Sequence, residues 1–175
     1  MSENQSVEEI QAAISQLADP AVNTRIELGS TAYVAKRIIE TLPGVEELKT
    51  SGPEVEKALL DLLGDEDARN NLNLTAIALH ILSYYPTTRV KMTLARMIVA
   101  GKFTGLSTLL AAEAFLNAAG IQASPDEVIR IAKRKAYEMA GTDEYHEGST
   151  TEKAQTNVDN SDESGYGNKQ NKDIQ

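Results

Sequence analysis

The sequence predicts an all-α fold, in which about three helical hairpins form a right-handed α-solenoid-like stack over residues 1–140. Three observations support this prediction. Apolar residues in this region recur with the 3.6-residue period of a helix, and no segment alternates with the period of two that strands require. The same apolar pattern returns at offsets of 43 and 34 residues. After Gly141 the composition becomes rich in Ser, Thr, Asn, Asp, Gly and Gln, which predicts a disordered tail over residues 141–175.

Helix start and stop signals divide residues 1–140 into segments. Ser6 followed by Glu9 is a capping-box pattern, and Asp19-Pro20 places an N-cap before a proline at the first helical position. The segments are interrupted or ended at Gly29-Ser30, Pro43-Gly44, Gly64, Gly101 and Gly120. The last segment opens at Ser124-Pro125. The predicted helices cover residues 6–18, 20–29, 31–42, 53–64, 68–85, 88–100, 104–119 and 125–140.

Two types of helix alternate along the chain. Three A-type helices carry apolar residues at i, i+3, i+4, i+7, i+8 and i+11, starting at Thr31, Leu74 and Thr108. The third position is Ala each time (Ala35, Ala78 and Ala112), which lets a neighbouring helix approach closely. The intervening B-type helices also match one another. The pattern of Val55, Leu59, Leu62 and Leu63 is repeated by Val90, Leu94, Met97 and Ile98, and more weakly by Val128, Ala132, Lys135 and Ala136. A helix pair every 35–45 residues is typical of an α-solenoid.

The stretches LADPAVNTR…AYVAKRII and LLGDEDARNNLNLTAIALHIL resemble HEAT repeats. Each combines the apolar end of a B helix, a turn containing Asp and an Ala-rich A helix. The resemblance spans about residues 6–140, although the third unit has AGKFTG where the Asp turn belongs. Another helical repeat or a helix bundle remains the alternative. The 34-residue offset also permits a TPR arrangement, but the aromatic and Gly positions of that motif are not visible.

Composition and charge narrow the functional classes. The chain of 175 residues has a net charge of −9, which weighs against a dedicated nucleic-acid-binding protein. Residues 87–140 nevertheless carry a net charge of +4. With no cysteine there are no disulfides or thiolate metal sites, and the polar start MSENQSVEEI has no signal-peptide pattern. We therefore expect a cytoplasmic protein that does not enter a membrane.

The sequence contains no recognisable catalytic set. His80 lies off the apolar stripe by its phase, which predicts a histidine at the surface or in a groove. The segment AGKFTG lacks the glycine spacing and the Ser or Thr of a phosphate-binding loop. The acidic residues between Glu54 and Asp67 do not match a calcium-binding loop. We therefore expect neither catalytic residues nor a cofactor or metal.

Two groups of basic residues and one aromatic residue are the candidate partner-binding positions. Arg89, Lys91 and Arg96 lie on one B-type helix, and Arg130, Lys133 and Arg134 lie on the next. Because B helices commonly line the concave face of a helical stack, these residues are expected to form one positive stripe, with ordinary solubilising charge as the alternative. By helical phase Tyr85 belongs to the core, whereas Tyr84 is expected at an exposed rim, where aromatic residues often anchor partners.

These features favour a non-catalytic adaptor that binds another protein with an acidic surface. Two alternatives follow from the HEAT resemblance: a nucleic-acid-binding protein of the HEAT-like glycosylase kind, and an accessory protein of the bilin-lyase kind. For neither alternative does the sequence supply a specific motif, and the net charge makes nucleic acid an unlikely partner. We expect a monomer or a weak homodimer, because about three hairpins are the minimum for a stable stack.

Overall fold

The computed structural model describes residues 7–19 and 31–148, with side chains as far as Gly141, and every regular element in these ranges is a helix. The helices are numbered in chain order: α1 (Val7–Leu17), α2 (Ala32–Ile39), α3 (Val45–Leu48), α4 (Pro53–Gly64), α5 (Glu66–Asn70), α6 (Leu72–Leu82), α7 (Thr88–Val99), α8 (Leu106–Ala119) and α9 (Val128–Gly148). The predicted helix at residues 20–29 lies outside the described residues.

Helix α6 is the centre of the molecule. It contacts α1, α2, α4, α5 and α8, and every residue from Asn73 to Leu82 is buried. A helix that is apolar on all sides must be surrounded by other elements, and the sequence LNLTAIALHIL meets that description. The A-type helices α2, α6 and α8 are therefore neighbours, while the B-type helix α7 packs most extensively against α9 and also contacts α4 and α8.

The predicted apolar stripes hold for α6 and largely for α8. Ile81 and Phe115 are fully buried, and the small residues Ala78 and Ala112 are buried as well. The stripe predicted for α2 is only partly right. Its buried residues are Ala32, Ala35 and Ile39, whereas Thr31 and Val34 are exposed and Ile38 and Leu42 are only partly buried.

The physical reason lies in the length and the neighbours of α2. This helix has only eight residues, and it contacts α8 as well as α6. Lys36 Nζ forms an ion pair with Glu113 Oε2 of α8 at 2.8 Å. In this orientation Ala32 and Ile39 face the core, and Tyr33 and Val34 face solvent.

The single helix predicted at residues 68–85 is wrong, because a break at Asn71 separates α5 from α6. The Asn71 side chain accepts a hydrogen bond from the backbone N–H of Leu74 at 3.1 Å and so caps the start of α6. The hydroxyl of Thr75 donates to the backbone carbonyl of Arg69 at 3.0 Å, which ties the two helices together. The predicted insert between Leu42 and Pro53 also contains the short helix α3.

Both predicted ends of the last helix also need correction. Helix α9 begins at Val128 instead of Pro125, and it continues to Gly148, eight residues beyond the predicted end at Ala140. Gly141, after which the composition changes, has no positive φ and stays within the helix. The remaining part of the predicted tail, residues 149–175, lies outside the described residues. None of the described helices combines the length and the apolar character that crossing a membrane requires.

Candidate functional site

The structure separates the candidate basic residues of α7 from one another. Arg89 and Arg96 are seven residues apart, so they share one exposed face of the helix. Lys91 lies on the other side, beside the buried Leu94 and Ala95, and is only partly exposed. Of the three candidate cations on α7, only these two arginines therefore share an exposed face.

The basic residues of α9 do come together. Arg130, Lys133 and Arg134 are exposed and follow one another at spacings of three and one, and Tyr137 continues the same face at i+7 from Arg130. The opposite face of α9 carries Val128, Ala132 and Ala136, which pack into the core. This arrangement places three cations and a half-exposed tyrosine on one side of the last described helix.

A groove runs beside this face, where α9 meets α7 and α8. It encloses about 270 Å³ and is lined by residues of the end of α7, the following loop, α8 and α9: Ile98, Val99, Gly101, Phe103, Thr108, Ala112, Ile129, Lys133 and Tyr137. Most of these side chains are apolar, and Lys133 contributes the only cation of the lining. The small Ala112 leaves space that a larger residue on α8 would fill.

The loop that forms one wall of the groove is fixed by local hydrogen bonds. Gly101 has φ 62°, and the backbone N–H of Lys102 donates to the carbonyl of Met97, a pattern that ends a helix with a left-handed residue. The hydroxyl of Thr108 then donates to the carbonyl of Phe103 at 3.0 Å. The wall is therefore formed before any partner binds, which lowers the entropy cost of binding.

Ion pairs distinguish the candidate cations. Arg130 pairs with Glu127, Arg134 Nε lies 3.9 Å from Glu138 Oε1, and Arg89 Nε lies 3.8 Å from the buried Glu56. The hydrogen bond from Lys135 lowers the pKa of the Glu138 carboxyl. Within the described part of the chain, Lys133 has no ion-pair partner. Its charge beside the groove is therefore available to an acidic group.

Tyr84 lies at a second pocket, formed by α2, the end of α6 and α8. As predicted, Tyr84 is 48% exposed and Tyr85 is buried. This pocket of about 430 Å³ is lined by aromatic, charged and amide side chains: Tyr33, Lys36, Arg37, Glu40, His80, Ser83, Tyr84 and Asn117.

The ring of Tyr84 is held by a lysine that the sequence did not single out. Lys49 is 9% exposed, and its Nζ lies 4.4 Å from the centre of the Tyr84 ring and 2.5 Å from Glu46 Oε1. Burial opposes the charge of Lys49, but its hydrogen bond with Glu46 and its interaction with Tyr84 outweigh that effect and raise the pKa of Lys49. A charged lysine over an aromatic ring stabilises both side chains.

His80 was expected at the surface or in a groove; it lines this pocket, but it is only 5% exposed. Its ring meets the ring of Tyr84 edge to face, with centres 5.6 Å apart. Burial and, secondly, the charge of Lys49 lower the pKa of His80 to about 4. The imidazole is therefore neutral at physiological pH, and its Nε2 has no hydrogen-bond partner among the described residues.

Comparisons with protein-family models, curated proteins and solved structures found no match to this chain. Its possible function must therefore be inferred from its own two sites. Within the described residues, no group of three or more His, Asp or Glu side chains is placed to hold a metal ion.

Sequence reasoning missed the apolar part of the groove. Ile129 and Tyr137 lie within the basic run of α9 and do not continue the A-type or B-type pattern. They lie four residues before and four residues after Lys133, so the three side chains share one face of the helix. This mixed apolar and basic face is the signal in the sequence that could have predicted the groove. Phe103 lies in a loop, where helical periodicity gives no information.

Proposed function

We propose that this protein is a non-catalytic helical-repeat adaptor that binds an acidic segment of another protein. The observation that carries the proposal is the groove between α7, α8 and α9, which combines an apolar lining with the unpaired charge of Lys133 at its edge. Its volume is slightly below the roughly 300–1,000 Å³ of pockets that hold drug-sized molecules. An apolar side chain of a partner suits this size better than a cofactor does.

The packing of the helices supports the repeat part of the proposal. Neighbouring A-type helices contact one another, and the B-type helices α7 and α9 do the same, as expected for hairpins in a HEAT-like stack. The ion pair between Lys36 and Glu113 joins α2 to α8, so the first A-type helix touches both later ones. This contact between the first and third A-type helices departs from a stack in which each unit contacts only its neighbours, so the proposed stack is more compact than a straight row of hairpins.

Charge indicates the kind of partner. Lys133 adds an unpaired positive charge to the groove, in the one basic region of an otherwise acidic chain, whereas Arg130 and Arg134 beside it are paired with Glu127 and Glu138. Electrostatic complementarity accelerates encounter with acidic partners and excludes basic ones. We expect the bound segment to place one apolar side chain in the groove and one or more carboxylates near Lys133.

Fluorescence anisotropy with labelled peptides tests this proposal. The probes are ten-residue peptides with a central Leu or Phe flanked by Asp and Glu, and the matched control peptides replace those acids with Lys. We expect the acidic peptides to bind, Lys133→Glu to weaken binding by about tenfold or more, and Ile129→Asp to weaken it similarly. Lys57→Glu on α4 is the matched control, because Lys57 is also exposed and no residue of α4 lines the groove.

Three results would contradict the proposal. One is equal binding of acidic and basic peptides, and another is equal loss of affinity in Lys133→Glu and Lys57→Glu. The third is tighter binding of an oligonucleotide than of any acidic peptide at the same salt concentration, which would favour the nucleic-acid alternative.

A further inference from the structure

The groove between α7, α8 and α9 has exposed apolar side chains on its α9 side. Ile129 is 38% and Tyr137 is 55% exposed, whereas the other apolar side chains of the lining are buried or half-buried. Lys133 lies between these two residues on the same face of α9, and its charge is unpaired among the described residues. Such a surface fits a segment that combines carboxylates with an apolar side chain.

The chain itself contains a segment of this kind after α9. Residues 158–166, here called the tail segment, read VDNSDESGY. Three acidic residues lie between an apolar residue and a tyrosine, and no basic residue occurs among them. The acidic residues are Asp159, Asp162 and Glu163, and the flanking residues are Val158 and Tyr166. The tail segment therefore has both features that the groove requires, in a stretch short enough to lie along one side of α9.

The length of the intervening chain allows the tail segment to return to the groove. An α-helix rises about 1.5 Å per residue, so Lys133 lies about 22 Å from Gly148 along α9. The chain from Gly148 to Val158 spans up to about 33 Å when it is extended. The difference of about 10 Å leaves room for the chain to reverse its direction, and the later residues of the tail segment have a longer reach.

We propose that the tail segment binds the α9 groove of its own chain, with the ring of Tyr166 in the apolar groove and the carboxylates of Asp162 and Glu163 at Lys133. This inference rests on the function proposed for the groove, because the tail segment then competes with the acidic segment of a partner. A tethered segment reaches an effective concentration of about 1 mM. It therefore weakens the apparent affinity for a partner about tenfold when its own Kd is about 0.1 mM.

Paramagnetic relaxation enhancement in the full chain tests the contact. The chain has no cysteine, so Asn160→Cys provides a single site for a nitroxide label. We expect the label to broaden the amide signals of Ile98 and Ile129 more than those of α1, which does not line the groove. Lys133→Glu should abolish this broadening, and the control Lys57→Glu should leave it unchanged. Equal broadening in these two variants, or none in the parent, would overturn the proposal.

A mixed sample distinguishes the tail segment of the same chain from that of a second copy. It contains ¹⁵N-labelled chains without the nitroxide and nitroxide-labelled chains without ¹⁵N. We expect no broadening at the groove in this sample. Broadening as strong as in the doubly labelled chain would assign the contact to a second copy and overturn the proposal.

Two tail variants of equal net charge test the competition with a partner. Asp162→Lys with Glu163→Lys reverses two charges inside the tail segment, and Glu152→Lys with Asp173→Lys reverses two charges outside it. We expect the acidic probe peptides to bind the first variant about tenfold more tightly than the second. Equal affinities would contradict the competition.

The outcomes separate this inference from the adaptor function. Equal peptide binding by the two tail variants, without broadening in the labelled chain, would contradict the tail contact and leave the adaptor function standing. Failure of both tail variants to bind any acidic peptide would contradict the adaptor function, whereas broadening at the groove would still support the tail contact.

Discussion

Protonation of His80 should destabilise the fold at mildly acidic pH. Because the pKa of His80 is lowered to about 4 in the folded chain, from its usual value of 6.5, the unfolded state binds more protons between these two values. The stabilising contribution of neutral His80 is therefore complete above pH 6.5 and is lost as the pH falls towards 4. The charges nearest to the ring are those of Lys49, Glu40, Lys36 and Glu46.

The size of this effect follows from the two pKa values. At pH 5.0 the linkage relation gives a loss of about 2 kcal/mol of unfolding free energy relative to pH 7.5. The His80 ring lines a pocket that is open to water, so solvent screening reduces the expected loss to about 1–2 kcal/mol.

Urea unfolding followed by circular dichroism at pH 7.5 and pH 5.0 measures this loss. Both the parent and His80→Phe should carry His146→Gln, so that His80 is the only histidine left to titrate. Carboxylates contribute equally to both proteins, and their effect cancels in the difference. The parent should lose about 1–2 kcal/mol more than His80→Phe between the two pH values. Equal losses would refute the reasoning that burial keeps this histidine neutral.

Three further predictions concern packing, capping and the end of α9. Phe115→Ala should reduce the unfolding free energy by about 3–5 kcal/mol in urea titrations, because the side chain is fully buried, and a loss below 1 kcal/mol would contradict its central position. Asn71→Ala should cost about 1 kcal/mol by the same assay, since it removes the bond from Leu74 N–H, and Asn71→Asp should retain most of the stability. Gly141→Ala should shift the NMR signals of the Tyr137 ring, because the new Cβ would lie 2.9 Å from Tyr137 Cδ1. The same change should stabilise the helix by up to about 1 kcal/mol. An unchanged Tyr137 spectrum would contradict the described path of α9.

The helical periodicity was sufficient to predict the helices that pack on several sides. In α6 and α8 the apolar residues are so dense that any contact geometry buries the same positions, including Ile81 and Phe115. The short α2 contains too few apolar residues to fix its rotation about its own axis. The face that α2 buries is therefore shifted from the one that periodicity predicts. On this helix Lys36 forms a long-range ion pair with Glu113.

The sites were harder to predict than the fold, because each is assembled from separate segments. Sequence identified the basic residues of α9 and the exposed Tyr84, but not Phe103 or Ile129, which complete the groove. The phase of His80 predicts a position at the surface or in a groove; its side chain lines a pocket, but it is buried because α6 has neighbours on many sides. Lys49 lies in a segment interpreted as an insert, and only the fold brings it to the ring of Tyr84.

Native-state hydrogen exchange most directly tests the central claim that α1, α2, α4, α5 and α8 pack around an enclosed α6. The backbone amides from Ala76 to Leu82 should exchange only through global unfolding and should be the slowest in the chain, with α1 and α2 exchanging faster through local opening. If the amides of α6 exchanged as rapidly as those of α1, the helix would not be enclosed, and the described packing of α6 against α8, which lines both candidate sites, would be contradicted.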